Sequence, residues 1–202
     1  IPHHLGAVPK MIMVKRLDGS GNWNWQVYHT SLGATKYIQL NSTSAAGTSS
    51  SRWYDVEPTS SVFTLGNDSD VNVNDATFIA YSFSEVPGYS KFAKYTGNGN
   101  ADGPFIYTGF KPSFVIIKNT DLNPGKNWYI NDNKRLGYNS SNPYLSPNLS
   151  AAETGGAEID ILSNGFKIIA SGTGHNASGA TYIYMAIGQS LVGTNNIPNN
   201  AR

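Results

Sequence analysis

The chain contains no cysteine. That excludes a disulfide framework, a cysteine zinc site and a thiol nucleophile, and it leaves stability to packing or association. Charge is scarce as well. Asp, Glu, Lys and Arg make up 13% of the 202 residues and the formal net charge is +1, so neither nucleic acid nor an anionic membrane has an electrostatic handle here. No apolar run approaches the ~20 residues of a membrane span, and no membrane insertion is expected. No signal peptide is visible. The chain starts at Ile1 rather than Met, which reads as a processed or partial polypeptide. The four histidines (His3, His4, His29, His175) have no spacing that suggests a triad or a metal pair. His3 and His4 are adjacent, and neighbouring side chains in an extended segment point apart.

Aromatics, by contrast, reach 12%, and 21 glycines accompany many Asn and Ser residues. This is the composition of short strands joined by polar turns. The strongest signal is a repeat. Pro9, Lys15, Asp18 and Trp25 recur as Pro112, Lys118, Asp121 and Trp128, each 103 residues later (112 − 9 = 128 − 25 = 103). Downstream, Ala76 to Glu85 (ATFIAYSFSE) aligns with Ala180 to Gln189 (ATYIYMAIGQ), at 180 − 76 = 104. Two matches in one order at nearly one offset point to a duplicated unit. The expected fold is all-β: two tandem antiparallel β-sandwich domains, jelly-roll-like, from an internal duplication. Residues 1–88 form repeat 1, 89–190 repeat 2 and 191–202 a C-terminal tail.

The apolar runs Met11 to Val14 and Phe114 to Ile117 suit strands covered on both faces. In the next strand, Trp25 and Val27 share one face, as do Trp128 and Ile130. Both copies are apolar there, so that face is placed inside. Gln26, Tyr28, Tyr129 and Asn131 are placed outside. In the closing strand Ile79, Tyr81 and Phe83 match Ile183, Met185 and Ile187 on one core-facing side. Copy two is preceded by Lys91 to Thr108, which reads as strand, tight turn, strand. Subtracting 103 from Pro104 lands on Ile1, so the matching strand of copy one is expected upstream or from a neighbouring chain. An unpaired sheet edge invites strand addition.

Three chemistries are weighed against these residues. The stretch Asn67 to Asp75 alternates oxygen ligands but lacks the Gly and Glu of a calcium loop, with Val73 and Ile79 at those places; no metal is expected. Gly97 to Gly103 is glycine-rich but has Pro104 and no helix behind it, so it cannot be a phosphate cradle and no cofactor is expected. A glycosidase needs two carboxylates flanking a sugar, and the carboxylates here lie mostly in turn-like settings. The reading is non-enzymatic. Sequons at Asn41, Asn67, Asn139, Asn148 and Asn176 mark expected surface loops. The remaining candidates are aromatics in the divergent loops: Trp53, Tyr54, Tyr138 and Tyr144. Aromatic faces beside small polar donors suit sugars, whose C–H faces stack and whose hydroxyls take hydrogen bonds.

The segments GYSKFAKYTGNGNADGPFIYTGFKPSFVIIKNTD, NWYINDNKR, IDILSNGFKI and NASGATYIYMAIGQS resemble a repeated C-terminal domain of tail-fibre and virion-surface proteins of tailed phages, marine phages and cyanophages above all. The resemblance implies an extracellular, virion-exposed module on a tail fibre or the capsid exterior. It implies a homotrimer, joined to other virion proteins through what precedes it, that touches host envelope polysaccharide or another surface receptor. It supplies no catalytic residues. The alternatives are a structural capsid or tail decoration without host binding and, further off, a polysaccharide depolymerase.

Overall fold

A computed structural model describes residues 1–122, 125–135, 139 and 143–189. In chain order the elements are β1 (Pro9–Arg16), β2 (Gln26–His29), β3 (Lys36–Gln39), β4 (Gly47–Thr48), α1 (Ser50–Trp53), β5 (Phe78–Ser84), β6 (Ser90–Thr96), β7 (Phe105–Tyr107), β8 (Pro112–Asn119), β9 (Trp128–Asp132), β10 (Ile159–Leu162), β11 (Gly165–Ile168), α2 (Thr173–Asn176) and β12 (Thr181–Gly188). The protein is all-β and its sheets are antiparallel.

The first sheet has the order β4-β3-β2-β1-β5, the second β6-β12-β8-β9 and the third β10-β11-β7. In the first, three strands follow one another by short connections, and β5 returns by a long one to lie beside β1. That is the Greek-key order. The second keeps part of that order: β12 returns beside β8, only an isolated bridge at Leu145 lies beyond β9, and β6 is added outside β12.

The pairings of the two larger sheets correspond residue by residue. Lys15 lies opposite Ile79 and Met11 opposite Phe83, as Lys118 lies opposite Ile183 and Phe114 opposite Ile187. Met11 opposite His29 matches Phe114 opposite Asp132. An extra residue enters the ladder at Lys10 in one sheet and at Ser113 in the other. The turn carboxylates correspond as well. Asp18 accepts the Thr77 N–H at 2.9 Å and Asp121 accepts the Thr181 N–H at 2.9 Å. Each ties the turn after its first strand to the start of the returning strand.

One correspondence has no sequence signal at the 103-residue offset. Asn41 accepts the N–H of Trp25 at 2.9 Å and donates to Asn24; Asn148 accepts the N–H of Trp128 at 3.0 Å and donates to Asn127. The offset is 148 − 41 = 107. It also relates the Val27–Ile38 pairing to the Ile130–Leu145 bridge, and Tyr37–Gly47 to Tyr144–Thr154. Asn41→Ala and Asn148→Ala are each expected to cost about 1 kcal/mol, the worth of a hydrogen bond whose partner is left behind. Urea unfolding in which only one of them matters would break the equivalence.

The layers explain where the sequence reading of faces needs correction. Met11, Val27 and Ile38 of the first sheet pack with Phe92, Ile116, Trp128, Ile183 and Met185 of the second. The two halves therefore share a core rather than standing side by side. The outer face of the first sheet carries Ile12, Val14 and Tyr28 under Trp53, Phe63 and Val71. The outer face of the second carries Val115, Ile117, Tyr182 and Tyr184 under Ile106, Ile161 and Phe166 of the third sheet. Both large sheets thus have packing on both faces, though the cover of the first sheet's inner face is incomplete. Gln26, Tyr28 and Asn131, placed outside from the alternation, are buried, and Tyr129 is half-buried.

Loops of the first half are stitched into the hairpin of the second. Ala46 N donates to Thr120 O at 2.8 Å, and Trp128 Nε1 donates to Gln39 O at 2.8 Å. Lys118 is fully buried and its ammonium donates to Thr43 O at 2.8 Å and to Lys126 O. Burial pulls its pKa down to about 8. Gly125 lies against the Thr43 carbonyl, and a Cβ there would collide with backbone.

Candidate functional site

Trp53 does not offer its ring to a ligand. It ends α1 and is 2% exposed. Its indole N–H donates to Lys36 O at 3.1 Å and its ring meets Tyr28 edge-on at 6.0 Å. The reason is the layering: α1 lies on the outer face of the first sheet, and Trp53 fills the space between them. Its neighbour Tyr54 is 51% exposed. Tyr54 and Asp55 both have positive φ, 53° and 54°, an uncommon conformation for non-glycine residues. Tyr138 lies outside the described residues.

Tyr144 is half-buried in an aromatic cluster. It meets Tyr129 edge-on at 5.1 Å, and Tyr129 in turn lies 4.3 Å from the His175 ring. His175 Nδ1 is 3.3 Å from Glu158 Oε2, and the imidazole is 2% exposed. The hydrogen bond from His175 holds the Glu158 carboxyl below its usual range. Burial pushes the Tyr129 phenol up to about 12, so it stays protonated. The edge-on and tilted rings of Tyr144 and Tyr129 cover the imidazole, while the Glu158 side chain stays partly exposed.

Most of the carboxylates serve structure. Arg52 pairs with Asp68 and, at 3.2 Å, with Asp70, while Gln26 donates to Asp70 at 2.5 Å. Two acids of the calcium-like stretch are thereby spent on an arginine. Glu57 accepts from Tyr28 Oη at 2.5 Å and from Ala34 N at 2.8 Å. Asp132 and Glu153 hold Arg135, and Glu85 holds Lys91. Among the described residues no cluster of His, Asp or Glu could hold a metal ion. The glycine-rich loop is also structural. Asn176, fully buried, accepts from Asn98 N at 2.8 Å and donates to Asn98 Oδ1 and Asn100 O. That burial corrects the surface placement of the Asn176 sequon. An open groove of about 500 Å³ between Pro2–Gly6 and Ser60–Val62 has no acidic residue in its lining.

The feature that sets the two halves apart is the inner face of the first sheet. Its contact with the second sheet takes in Met11, Val27 and Ile38 but not Trp25, Ile79 or Tyr81. In the second half the matched residues Trp128 and Ile183 are buried (1% and 0%), as is Met185. In the first half Trp25 and Ile79 are only partly covered, and Tyr81 is 47% exposed. Trp25 and Tyr81 stack with ring centres 6.1 Å apart and planes 26° from parallel. Lys15, the match of buried Lys118, lies on the same face, with its ammonium 2.8 Å from Arg16 O. The result is an open aromatic ledge rimmed by one cation, on a rigid strand scaffold. Alternation finds its residues; it does not reveal that they are uncovered, because that depends on how the second sheet is seated.

Neither the curated proteins nor the solved structures contain a match to this chain. A comparison with protein families does find one, spanning residues 1–190 and so both halves together. The chain belongs to the family described as Domain of unknown function (DUF7483).

Proposed function

We propose that this domain is a non-enzymatic adhesion module on a phage virion, of tail-fibre type, and that it recognises host-surface glycan. One observation carries the reading. The Trp25–Tyr81 ledge stays open on a scaffold whose matched positions in the other half are sealed. A stacked aromatic pair with apolar flanks suits the C–H face of a sugar ring, and the Lys15 ammonium and nearby backbone suit its hydroxyls. Exposed Tyr54 lies in a separate loop and serves as a second contact. The structural use of the carboxylates supports a binding role over hydrolysis. The matched registers support descent of the two halves, 1–88 and 89–190, from one duplicated unit.

A glycan array spotted with neutral and weakly charged bacterial surface oligosaccharides tests the reading. Trp25→Ala combined with Tyr81→Ala is expected to reduce binding at least tenfold, equivalent to about 1.4 kcal/mol. Tyr54→Ala is expected to have a smaller effect. Added salt should matter little, because few charges surround the ledge. Full binding by the double variant would discard the ledge as the site. Virions that assemble poorly without the domain yet adsorb normally would favour a decoration role.

A further inference from the structure

We propose that the free edge of β5 is a self-association edge, pairing antiparallel with β5 of a second copy of this chain about a two-fold axis. Sheet edges carry unpaired backbone groups, and proteins blunt them with charge, proline, short length or cover. Among the described residues every other edge is treated in this way. β6 carries Lys91 and Lys94. β4 has two residues and β7 three. β9 is bridged by Leu145. On β10, Ile161 N donates to Asn139 Oδ1 at 2.7 Å, and Asn139 Nδ2 donates back to Ile161 O at 3.0 Å.

β5 has none of these devices from Phe78 to Phe83; only its last carbonyl, Ser84 O, is taken, by Ser90 Oγ at 3.0 Å. The strand is seven residues long, Phe-Ile-Ala-Tyr-Ser-Phe-Ser, with no charge, no proline and no glycine. Its match in the second half, β12, is not an edge at all: β6 pairs along it from Thr181 to Ile187. Leu17 N donates to Thr77 O at 2.8 Å. The antiparallel alternation that this bond sets turns the N–H and C=O of Phe78, Ala80 and Ser82 away from β1. Ala80 and Tyr81 are exposed there.

The occupant follows from the charge pattern and from symmetry. An uncharged edge is complementary to another uncharged edge, and the second copy supplies one of equal length. A two-fold axis through Tyr81 sets Ala80 opposite Ser82 of the second copy, both with outward backbone groups, so the hydrogen-bonding phase matches. Thr77 then falls opposite Glu85 of the second copy, and no like charges meet. The two first sheets join into one continuous sheet, and the two Trp25–Tyr81 ledges meet at its centre.

Sedimentation equilibrium of the whole chain is expected to give a concentration-dependent dimer. Ala80→Lys places a charge on the edge, and Ala80→Pro removes an outward N–H that β1 does not use. Each is expected to yield a monomer with an unchanged melting temperature. Amide hydrogen exchange at Phe78 and Ser82 should be slow in the wild-type dimer and fast in Ala80→Lys. A monomer at every concentration up to the solubility limit overturns the proposal. So does a trimer, or a dimer that survives Ala80→Lys with the same exchange pattern. If Ala80→Pro fails to fold, Ala80→Lys decides alone.

Discussion

Trp128→Ala is expected to lower the unfolding free energy by about 3–5 kcal/mol, the range for a buried aromatic removed from a packed core. Trp25→Ala, at the matched position, is expected to cost less than half as much. The sequences around the two tryptophans correspond, so the difference comes from what surrounds each ring. Trp128 is 1% exposed among Met11, Val27, Ile183 and Met185. Its indole also ties the second half to Gln39 of the first, and truncation leaves that carbonyl without its donor. Trp25 stacks on Tyr81 at the margin of the core, where water already covers part of the ring. Urea unfolding of both variants measures the gap. Equal costs would mean that the ledge is closed in solution.

Acid is expected to unfold the protein through His29. The ring is 1% exposed. Ser31 N donates to Nδ1 at 3.1 Å, which leaves the proton on Nε2 to be donated to Tyr184 O, also at 3.1 Å. A neutral imidazole satisfies both contacts, and a second proton would face the Ser31 N–H. Burial accordingly pulls the His29 pKa from 6.5 down to about 4. Between those values the unfolded chain binds a proton that the folded chain refuses, so stability falls as pH drops from 6.5 towards 4. The shift of 6.5 − 4 = 2.5 corresponds to about 3 kcal/mol lost once pH is below the folded pKa. His29→Gln keeps a donor for Tyr184 without the titration and is expected to flatten the dependence in that window. Denaturation midpoints across the window compare the two proteins, and an equally steep decline in His29→Gln would assign the acid sensitivity elsewhere. Glu158, whose carboxyl is held low by His175, loses its contribution only at more acidic pH.

Much of this architecture was legible because its signals are local. The apolar runs at Met11 and Phe114 mark strands covered on both faces, and the 103- and 104-residue offsets predict registers that the sheets adopt. What was hidden depends on layers rather than strands. Tyr28 and Asn131 sit at positions that alternate with core residues, and nothing in a period of two says that a second layer covers them. Trp53 is flanked by Ser, Arg and Asp, so it reads as a loop aromatic. Its burial comes from a four-residue helix laid flat on the sheet, too short to leave a period. Asn41 and Asn148 escape because the second half has four more residues before its asparagine (107 − 103 = 4). The ledge is the same lesson reversed: Trp25, Ile79 and Tyr81 carry a core pattern, and the seating of the second sheet leaves the first two only partly covered and Tyr81 exposed.

The shared core also governs how the chain can be born. Met11, Val27 and Ile38 share their core with Phe92, Ile116 and Trp128 and, last in the chain, with Ile183 and Met185 of β12. During synthesis the first half therefore leaves the ribosome before its cover does, and the core closes fully only when β12 has emerged. Contacts of such sequence separation slow folding, and the exposed intermediate is prone to aggregate. Expression of residues 1–88 alone should yield insoluble protein, rescued by co-synthesis of the remainder.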